Sequence, residues 1–161
     1  KKYKGKSQKV ASAIIREANK YGMDPLFVTA VIAQESSFNP DQIGTVKEVG
    51  LMQVRPETAK WLNKKYHLVK KLNLRDPVTN IKIGVFFLNT LRDKFDKNSR
   101  HYISAYNMGA AKLRKNLKAN RNPKEYVQNV MKHYVKYMQD LKEMAREMTQ
   151  AQALDNALAA N

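Results

Sequence analysis

Three of the five prolines, each preceded by an acidic or amide residue, divide this sequence into helical segments. Asp24-Pro25, Asp76-Pro77 and Asn122-Pro123 each place a good helix N-cap before a proline. Proline has no backbone N–H, so in the first turn of a helix it removes no helical hydrogen bond. No stretch of useful length alternates apolar and polar residues as a half-buried strand does. The sequence therefore predicts an all-α fold, with a helix starting at each pair.

Apolar residues recur at helical spacing between these starts. Val10, Ile14 and Ala18 lie on one face of a first helix, and residues 26–33 are apolar almost throughout. That run is shorter than the roughly 20 residues that cross a bilayer, so it predicts a buried central helix. Residues 81–91 predict another helix, and we expect Ser99 to cap a short helix that extends to Tyr106.

The last predicted helix is long and carries a heptad pattern of apolar residues. The pattern favours packing on the domain's own core, with an interface to a partner as the alternative. After Met148 the chain is rich in Ala and Gln, and we expect it to fray. We therefore predict a single domain over residues 1–148 and an Ala-rich tail over residues 149–161. The heptad positions are Val127, Met131, Tyr134, Met138, Leu141, Ala145 and Met148.

The charge of the chain is strongly positive and unevenly distributed. The 161 residues include 30 Lys and Arg against 14 Asp and Glu, a net charge of +16. Residues 140–161 carry two basic and four acidic side chains, which leaves +18 on residues 1–139. The stretches 58–75 and 97–124 contain no acid. This distribution indicates a polyanionic partner: nucleic acid, anionic lipid or an acidic cell-wall polymer.

Several kinds of chemistry find no support in the residue pattern. The chain has no Cys, which excludes disulfides and thiol catalysis. His67, His101 and His133 are far apart and match no metal-ligand spacing. There is no phosphate-binding glycine loop and no serine nucleophile elbow. We therefore predict no metal and no cofactor.

Glu35 is the best candidate for a catalytic group. It ends the apolar run Val31-Ile32-Ala33-Gln34-Glu35, so unpaired helix carbonyls and lost hydration both favour its protonated form. A carboxylic acid that stays protonated near neutral pH can protonate a leaving-group oxygen, as glycoside cleavage requires. From position alone, an exposed Glu at a helix end is the alternative.

Four short strings then occur in a recognisable order. Glu35 opens Glu-Ser-Ser-Phe-Asn-Pro, Gly50 opens Gly-Leu-Met-Gln, and Ala105 opens Ala-Tyr-Asn-Met-Gly, followed later by Tyr126-Val127. In this order and spacing, over residues 8–138, the chain resembles the soluble lytic transglycosylase family of peptidoglycan-cleaving domains. The resemblance implies a lysozyme-like helical fold, shared with goose-type lysozyme, with a groove for alternating GlcNAc and MurNAc sugars.

The resemblance also implies roles for individual residues. Glu35 would be the sole acid/base: it would protonate the β-1,4 glycosidic oxygen after MurNAc and then accept the proton of the same sugar's C6 hydroxyl, which closes a 1,6-anhydro ring. Tyr106 would be a catalytic residue that assists the N-acetyl group or the reacting sugar. The residues expected to bind substrate are Ser36, Gly50, Gln53, Arg55, Asn107 and Tyr126.

The chain departs from the family pattern near the predicted groove. Gly44 stands where the family usually has Ser, and Arg55 where it commonly has Met. Glu48 replaces a small residue and could act as a second carboxylate that activates a water molecule. The enzyme would then be a hydrolytic lysozyme; otherwise Glu48 is a loop charge paired with Lys47.

The predicted partner is the glycan strand of peptidoglycan rather than nucleic acid. A basic nucleic-acid-binding helical module is the alternative from another class, but base stacking needs exposed aromatic rings beside the Lys and Arg. We further expect a monomer without a transmembrane segment, in the periplasm or secreted, whose signal peptide has been removed.

Overall fold

A computed structural model describes the backbone of residues 2–159 and the side chains of residues 7–153, 155 and 156. Seven α-helices occupy this part of the chain, and its only bridges are two isolated antiparallel ones, Ile43–Val49 and Val49–Val54. The all-α prediction is confirmed. The helices are α1 (Lys2–Lys20), α2 (Pro25–Ser36), α3 (Pro56–Tyr66), α4 (Pro77–Lys94), α5 (Ser99–Met108), α6 (Ala110–Lys118) and α7 (Glu125–Ala159).

Two of the three helix N-termini predicted from a residue–proline pair are observed. Asp24 caps α2 by accepting a hydrogen bond from Leu26 N, and Asp76 caps α4 by accepting one from Thr79 N. The third prediction is wrong, because α7 begins at Glu125 and Asn122 lies outside it.

The cap of α5 lies one residue earlier than predicted. The Asn98 side chain accepts a hydrogen bond from His101 N, so Asn98 is the N-cap and Ser99 is the first residue of the helix. The prediction of a short helix over this segment holds, and α5 extends two residues beyond Tyr106 to Met108.

The central helix α2 forms the middle of the core. Val28, Val31 and Ile32 are almost completely buried, and α2 packs mainly against α7. Helix α4 packs against α1 and α5, and its buried Ile81, Ile83, Val85 and Leu88 complete the same cluster. The α2–α3 loop contributes Leu51 and Met52, so it is anchored to the core rather than free in solvent.

Among the described side chains of α7, those that pack on the domain lie no further along than Met138. Val130 is fully buried and Tyr134 is half-buried, whereas every described side chain from Gln139 onward is exposed, Met148 by 70%. The heptad pattern therefore packs on the core upstream and continues without cover at Leu141, Ala145 and Met148. Helix α7 is continuous through Ala159, beyond the predicted domain boundary. No helix in the described part of the chain is long and apolar enough to cross a membrane.

Candidate active site

A cleft of about 320 Å³ opens between the α2–α3 loop and the junction of α5 with α6. A second depression, of about 450 Å³, includes Tyr126 and adjoins the cleft at Asn107 and Met108, which line both; the two together are named the groove. Six of the nine predicted site residues line the cleft itself: Glu35, Glu48, Gln53, Arg55, Tyr106 and Asn107.

Glu35 lies in the last turn of α2 with its carboxyl group largely withdrawn from water. Burial raises its pKa from 4.5 to about 7; the hydrogen bond from Tyr126 opposes this shift, and the charge of Glu48 adds to it. A carboxyl with this pKa is substantially protonated at neutral pH. It can therefore give up a proton and, once ionised, take one back.

Two tyrosines flank Glu35 in different ways. The Tyr126 hydroxyl, on the first turn of α7, donates a hydrogen bond to Glu35 Oε1 and so fixes the orientation of the carboxyl. The Tyr106 hydroxyl donates to the backbone oxygen of Met52 at 2.8 Å and joins α5 to the α2–α3 loop. Burial, with a smaller contribution from Glu35, raises the pKa of both hydroxyls well above 10, so both remain neutral proton donors.

The cleft wall opposite α5 is held by Asn80, a fully buried residue of α4. Its Oδ1 accepts from Met52 N at 2.8 Å, and its Nδ2 donates to Val49 O at 2.7 Å and Leu74 O at 2.9 Å. One side chain thus satisfies three backbone groups of two loops. Sequence reasoning missed Asn80; the only signal was an amide beside the apolar run that begins at Ile81.

Gly50 can lie directly against Asn80 and Leu74 because it has no side chain. Its φ is +78°, and a Cβ at this position would lie 2.4 Å from Asn80 Nδ2 and 2.6 Å from Leu74 O. The close approach that the missing Cβ permits is to Asn80 and Leu74, and Gly50 is not among the residues that line the cleft, so its contact with substrate stays a prediction.

Ser36, another predicted substrate contact, is also not among the residues that line the cleft. Its side chain is buried, and its hydroxyl donates to Leu51 O at 2.9 Å and is 3.3 Å from Ile32 O. Ser36 therefore ties the end of α2 to the α2–α3 loop instead of contacting the cleft. Gln53 combines both roles: its Nε2 donates to Gln42 O and Gly50 O, and the residue lines the cleft.

Glu48 and Gly44 share one small space at the edge of the cleft. A Cβ on residue 44 would lie 2.5 Å from Glu48 Oε2 and 2.7 Å from Gln53 Oε1, so the Glu48 carboxyl lies where a side chain at 44 would point. Glu48 accepts from Val46 N at 3.1 Å and pairs with Arg55 Nε at 3.4 Å. The partner of Glu48 is therefore Arg55 and not Lys47, and both charges face the cleft.

In the described residues, no three His, Cys, Asp or Glu side chains are close enough to hold a metal ion.

Two further residues that the sequence analysis did not identify, Thr58 of α3 and Phe87 of α4, also line the cleft. Neither belongs to one of the four strings.

The all-α fold and the groove around one protonatable glutamate define a lysozyme-like helical domain. The chain belongs to the transglycosylase SLT domain family, whose model matches residues 12–129. This confirms the family resemblance seen in the four strings.

The matched relatives are longer proteins with related names. The chain is 36% identical over 119 residues to membrane-bound lytic murein transglycosylase C of Histophilus somni, a match that covers 65% of this chain and 32% of that protein. It is also 36% identical over 117 residues to membrane-bound lytic murein transglycosylase E of Buchnera aphidicola, covering 65% of this chain and 54% of that protein.

Solved structures give the same result. An inactive glutamate-to-glutamine mutant of lytic transglycosylase Slt from Pseudomonas aeruginosa matches with a TM-score of 0.73 at 30% identity, over 81% of this chain and 24% of that one. The 70 kDa soluble lytic transglycosylase of Escherichia coli matches with a TM-score of 0.70 at 28% identity, over 80% and 24% of the two chains. The chain thus spans about a third of the first curated relative and a quarter of these structures.

Proposed function

We propose that this domain cleaves the β-1,4 bond between MurNAc and GlcNAc in peptidoglycan and forms 1,6-anhydroMurNAc ends. The observation that carries the proposal is Glu35, a largely buried carboxyl with a pKa of about 7 that faces a groove. The relatives named lytic murein transglycosylases support the choice of substrate.

The proposed reaction uses Glu35 twice. The protonated carboxyl first donates its proton to the glycosidic oxygen, which lets the bond to C1 of MurNAc break. The resulting carboxylate then accepts the proton of the C6 hydroxyl of the same sugar while that oxygen bonds to C1. The C6 hydroxyl is held close by its own ring, which favours it over a free water molecule. No second carboxylate and no metal is needed for this sequence.

The other groove residues hold the acid and the sugar in place. Tyr126 positions the Glu35 carboxyl, and its hydrogen bond stabilises the charged form between the two steps. Tyr106 directs its proton to Met52 O, so its oxygen remains available as an acceptor near the reacting sugar. Gln53, Asn107 and Arg55 are the proposed substrate contacts along the walls.

The test is the Glu35→Gln substitution, which removes the proton but keeps the size and the ability to accept from Tyr126. We expect release of soluble fragments from purified sacculi to fall by at least 10³-fold, with an unchanged circular dichroism spectrum. Glu57→Gln, an exposed glutamate in the first turn of α3, is the matched control. Retained lysis by Glu35→Gln would exclude the proposal.

Hydrolysis is the second candidate, and the position of Glu48 favours it. Glu48 lines the cleft and is oriented by Arg55 and Val46 N, as a base that activates water would need to be. Mass spectrometry of the released muropeptides separates the two reactions, because an anhydro end is lighter by one water. Hydrolysed ends that disappear with Glu48→Gln would establish the lysozyme reaction.

We further propose that the domain works as a monomer on the wall in the periplasm or outside the cell. The relatives named membrane-bound lytic murein transglycosylases support a location beside the wall. The net charge of +16 supports adhesion to an anionic wall polymer. Light scattering tests the monomer, and pelleting with sacculi at increasing salt tests the adhesion.

A further inference from the structure

The single tryptophan of the chain lies exposed on α3. Trp61 leaves 53% of its surface in water, although an indole is usually one of the more buried side chains in a folded domain. A large rigid aromatic ring that is left exposed is a typical anchor for a ligand, because it gains much contact area at little cost in conformational entropy.

Trp61 continues a row of side chains that starts inside the cleft. Thr58 lines the cleft, and Trp61 and Lys65 follow it at i+3 and i+7, so the three share one face of α3. Helical side chains lean toward the N-terminus, which tilts Trp61 toward Thr58. At about 1.5 Å of rise per residue, Trp61 lies roughly 5 Å beyond Thr58 along the helix, about the length of one sugar in a β-1,4 strand.

The surroundings of Trp61 combine aromatic surface with positive charge. Lys65 Nζ lies 5.8 Å from the centre of the Trp61 ring and 5.1 Å from that of Tyr66. Tyr66 in turn packs edge-on against Phe86 of α4. Trp61, Lys65 and Tyr66, here named the α3 patch, lie in a stretch of sequence that contains no acid.

We propose that the α3 patch is a further glycan-binding subsite, which takes one sugar of a strand whose reacting bond lies in the cleft. The apolar face of the pyranose would pack on Trp61, and Lys65 would pair with the carboxylate of an acidic substituent on the sugar. The inference rests on the proposed function, because it requires a wall glycan in the cleft. It extends the binding surface from the reacting bond outward along α3.

Because Trp61 is the only tryptophan, its fluorescence reports on the patch directly. The Glu35→Gln variant, which cannot cleave, is titrated with peptide-free MurNAc–GlcNAc strands and with the disaccharide unit alone. We expect long strands to change the tryptophan emission in a saturable way and the disaccharide to leave it unchanged. Long strands that bind, as measured by calorimetry, without altering the emission would overturn the inference.

Kinetics with substituted chains give the second test. Trp61→Ala should raise KM for long strands by roughly three- to tenfold and leave kcat close to that of the unsubstituted chain. Ile15→Ala, which truncates an equally exposed apolar side chain on α1, is the control. Lys65→Ala should raise KM more at low salt than at high salt, whereas Lys60→Ala should not, because Lys60 is two residues from Thr58 and one from Trp61 and so lies on another face of α3.

These outcomes separate the inference from the proposed function. If the unsubstituted chain cleaves no glycan, the proposed function fails, whatever Trp61 does. If it cleaves normally and Trp61→Ala has an unaltered KM, only the subsite fails. A change in tryptophan emission with single-stranded DNA but not with glycan would also overturn the inference, in favour of a nucleic-acid surface.

Discussion

At the scale of single residues, the central contact of the molecule joins Tyr126 to Glu35. Position 35 can be found from the sequence because a glutamate at the end of a buried helix is visible in the apolar pattern. Tyr126 could be placed among the binding residues only by resemblance, since 91 positions separate it from Glu35 and the sequence does not show that they meet. The structure gives it a positioning role on the acid itself.

Tyr126→Phe should move the alkaline limb of the pH–rate profile to higher pH and lower kcat by about tenfold. The hydrogen bond lowers the pKa of Glu35, so its removal raises that pKa above about 7 and keeps the acid protonated further into the alkaline range. The loss in kcat follows because an unheld carboxyl is oriented less often toward the bond. Rates of sacculus lysis across pH measure both effects.

Tyr134→Phe is the control for this change. It removes a hydroxyl from the same helix, one that donates to Asp24 Oδ2 at 2.6 Å, away from the cleft. Its pH profile should match that of the unsubstituted chain. A limb that stays in place or moves to lower pH with Tyr126→Phe contradicts the assigned role.

At the scale of elements, local signals predicted some helix starts and failed at others. The caps Asp24 and Asp76 act on backbone groups two or three residues away, so the sequence shows them directly. Helix α3 was missed because its N-cap, Arg55, forms no side-chain cap, and α6 starts at Gly109 without one. At Asn122 a tertiary contact intervenes: the Ser104 hydroxyl is 3.4 Å from Pro123 O, and α7 starts two residues later.

The prediction at this scale concerns Asn80 of α4, whose side chain holds two loops through three hydrogen bonds. Asn80→Leu keeps the approximate size but leaves Met52 N, Val49 O and Leu74 O without their partner, so we expect unfolding to become easier by about 3–5 kcal/mol. Urea titration measures the loss, and lysis should fall further than stability alone requires, because Met52 O also accepts from Tyr106.

Asn89→Leu, on the same helix, is the control and should lower the free energy of unfolding by about 1 kcal/mol or less. Its amide forms one weak bond, to Asp93 at 3.3 Å, and the residue is only half-buried. Equal losses for the two asparagines would show that Asn80 does not carry the loop.

At the scale of the whole molecule, the charge and α7 divide the chain into a basic body and a protruding helix. Composition revealed the charge, and the heptad pattern revealed the helix. The apolar spacing continues unchanged past Met138, but every described side chain from Gln139 onward is exposed. The pattern therefore could not reveal where the packing stops. The extent of burial depends on what the other helices provide, which no local pattern contains.

Deletion of residues 141–161 should therefore leave the domain intact. Every described side chain in that segment is exposed, so we expect the melting temperature to change by less than about 3 °C and sacculus lysis to stay within twofold. Differential scanning calorimetry and the lysis assay check this. A chain that fails to fold without the segment would show that the heptad positions beyond Met138 do pack on something.

Helix α7 joins two parts of the molecule that differ in their surroundings. Its first turn carries the hydroxyl that holds the Glu35 carboxyl, and the same continuous helix extends roughly 30 Å past Met138, where every described side chain is exposed. The residue that orients the acid and the exposed segment therefore belong to one uninterrupted ladder of backbone hydrogen bonds.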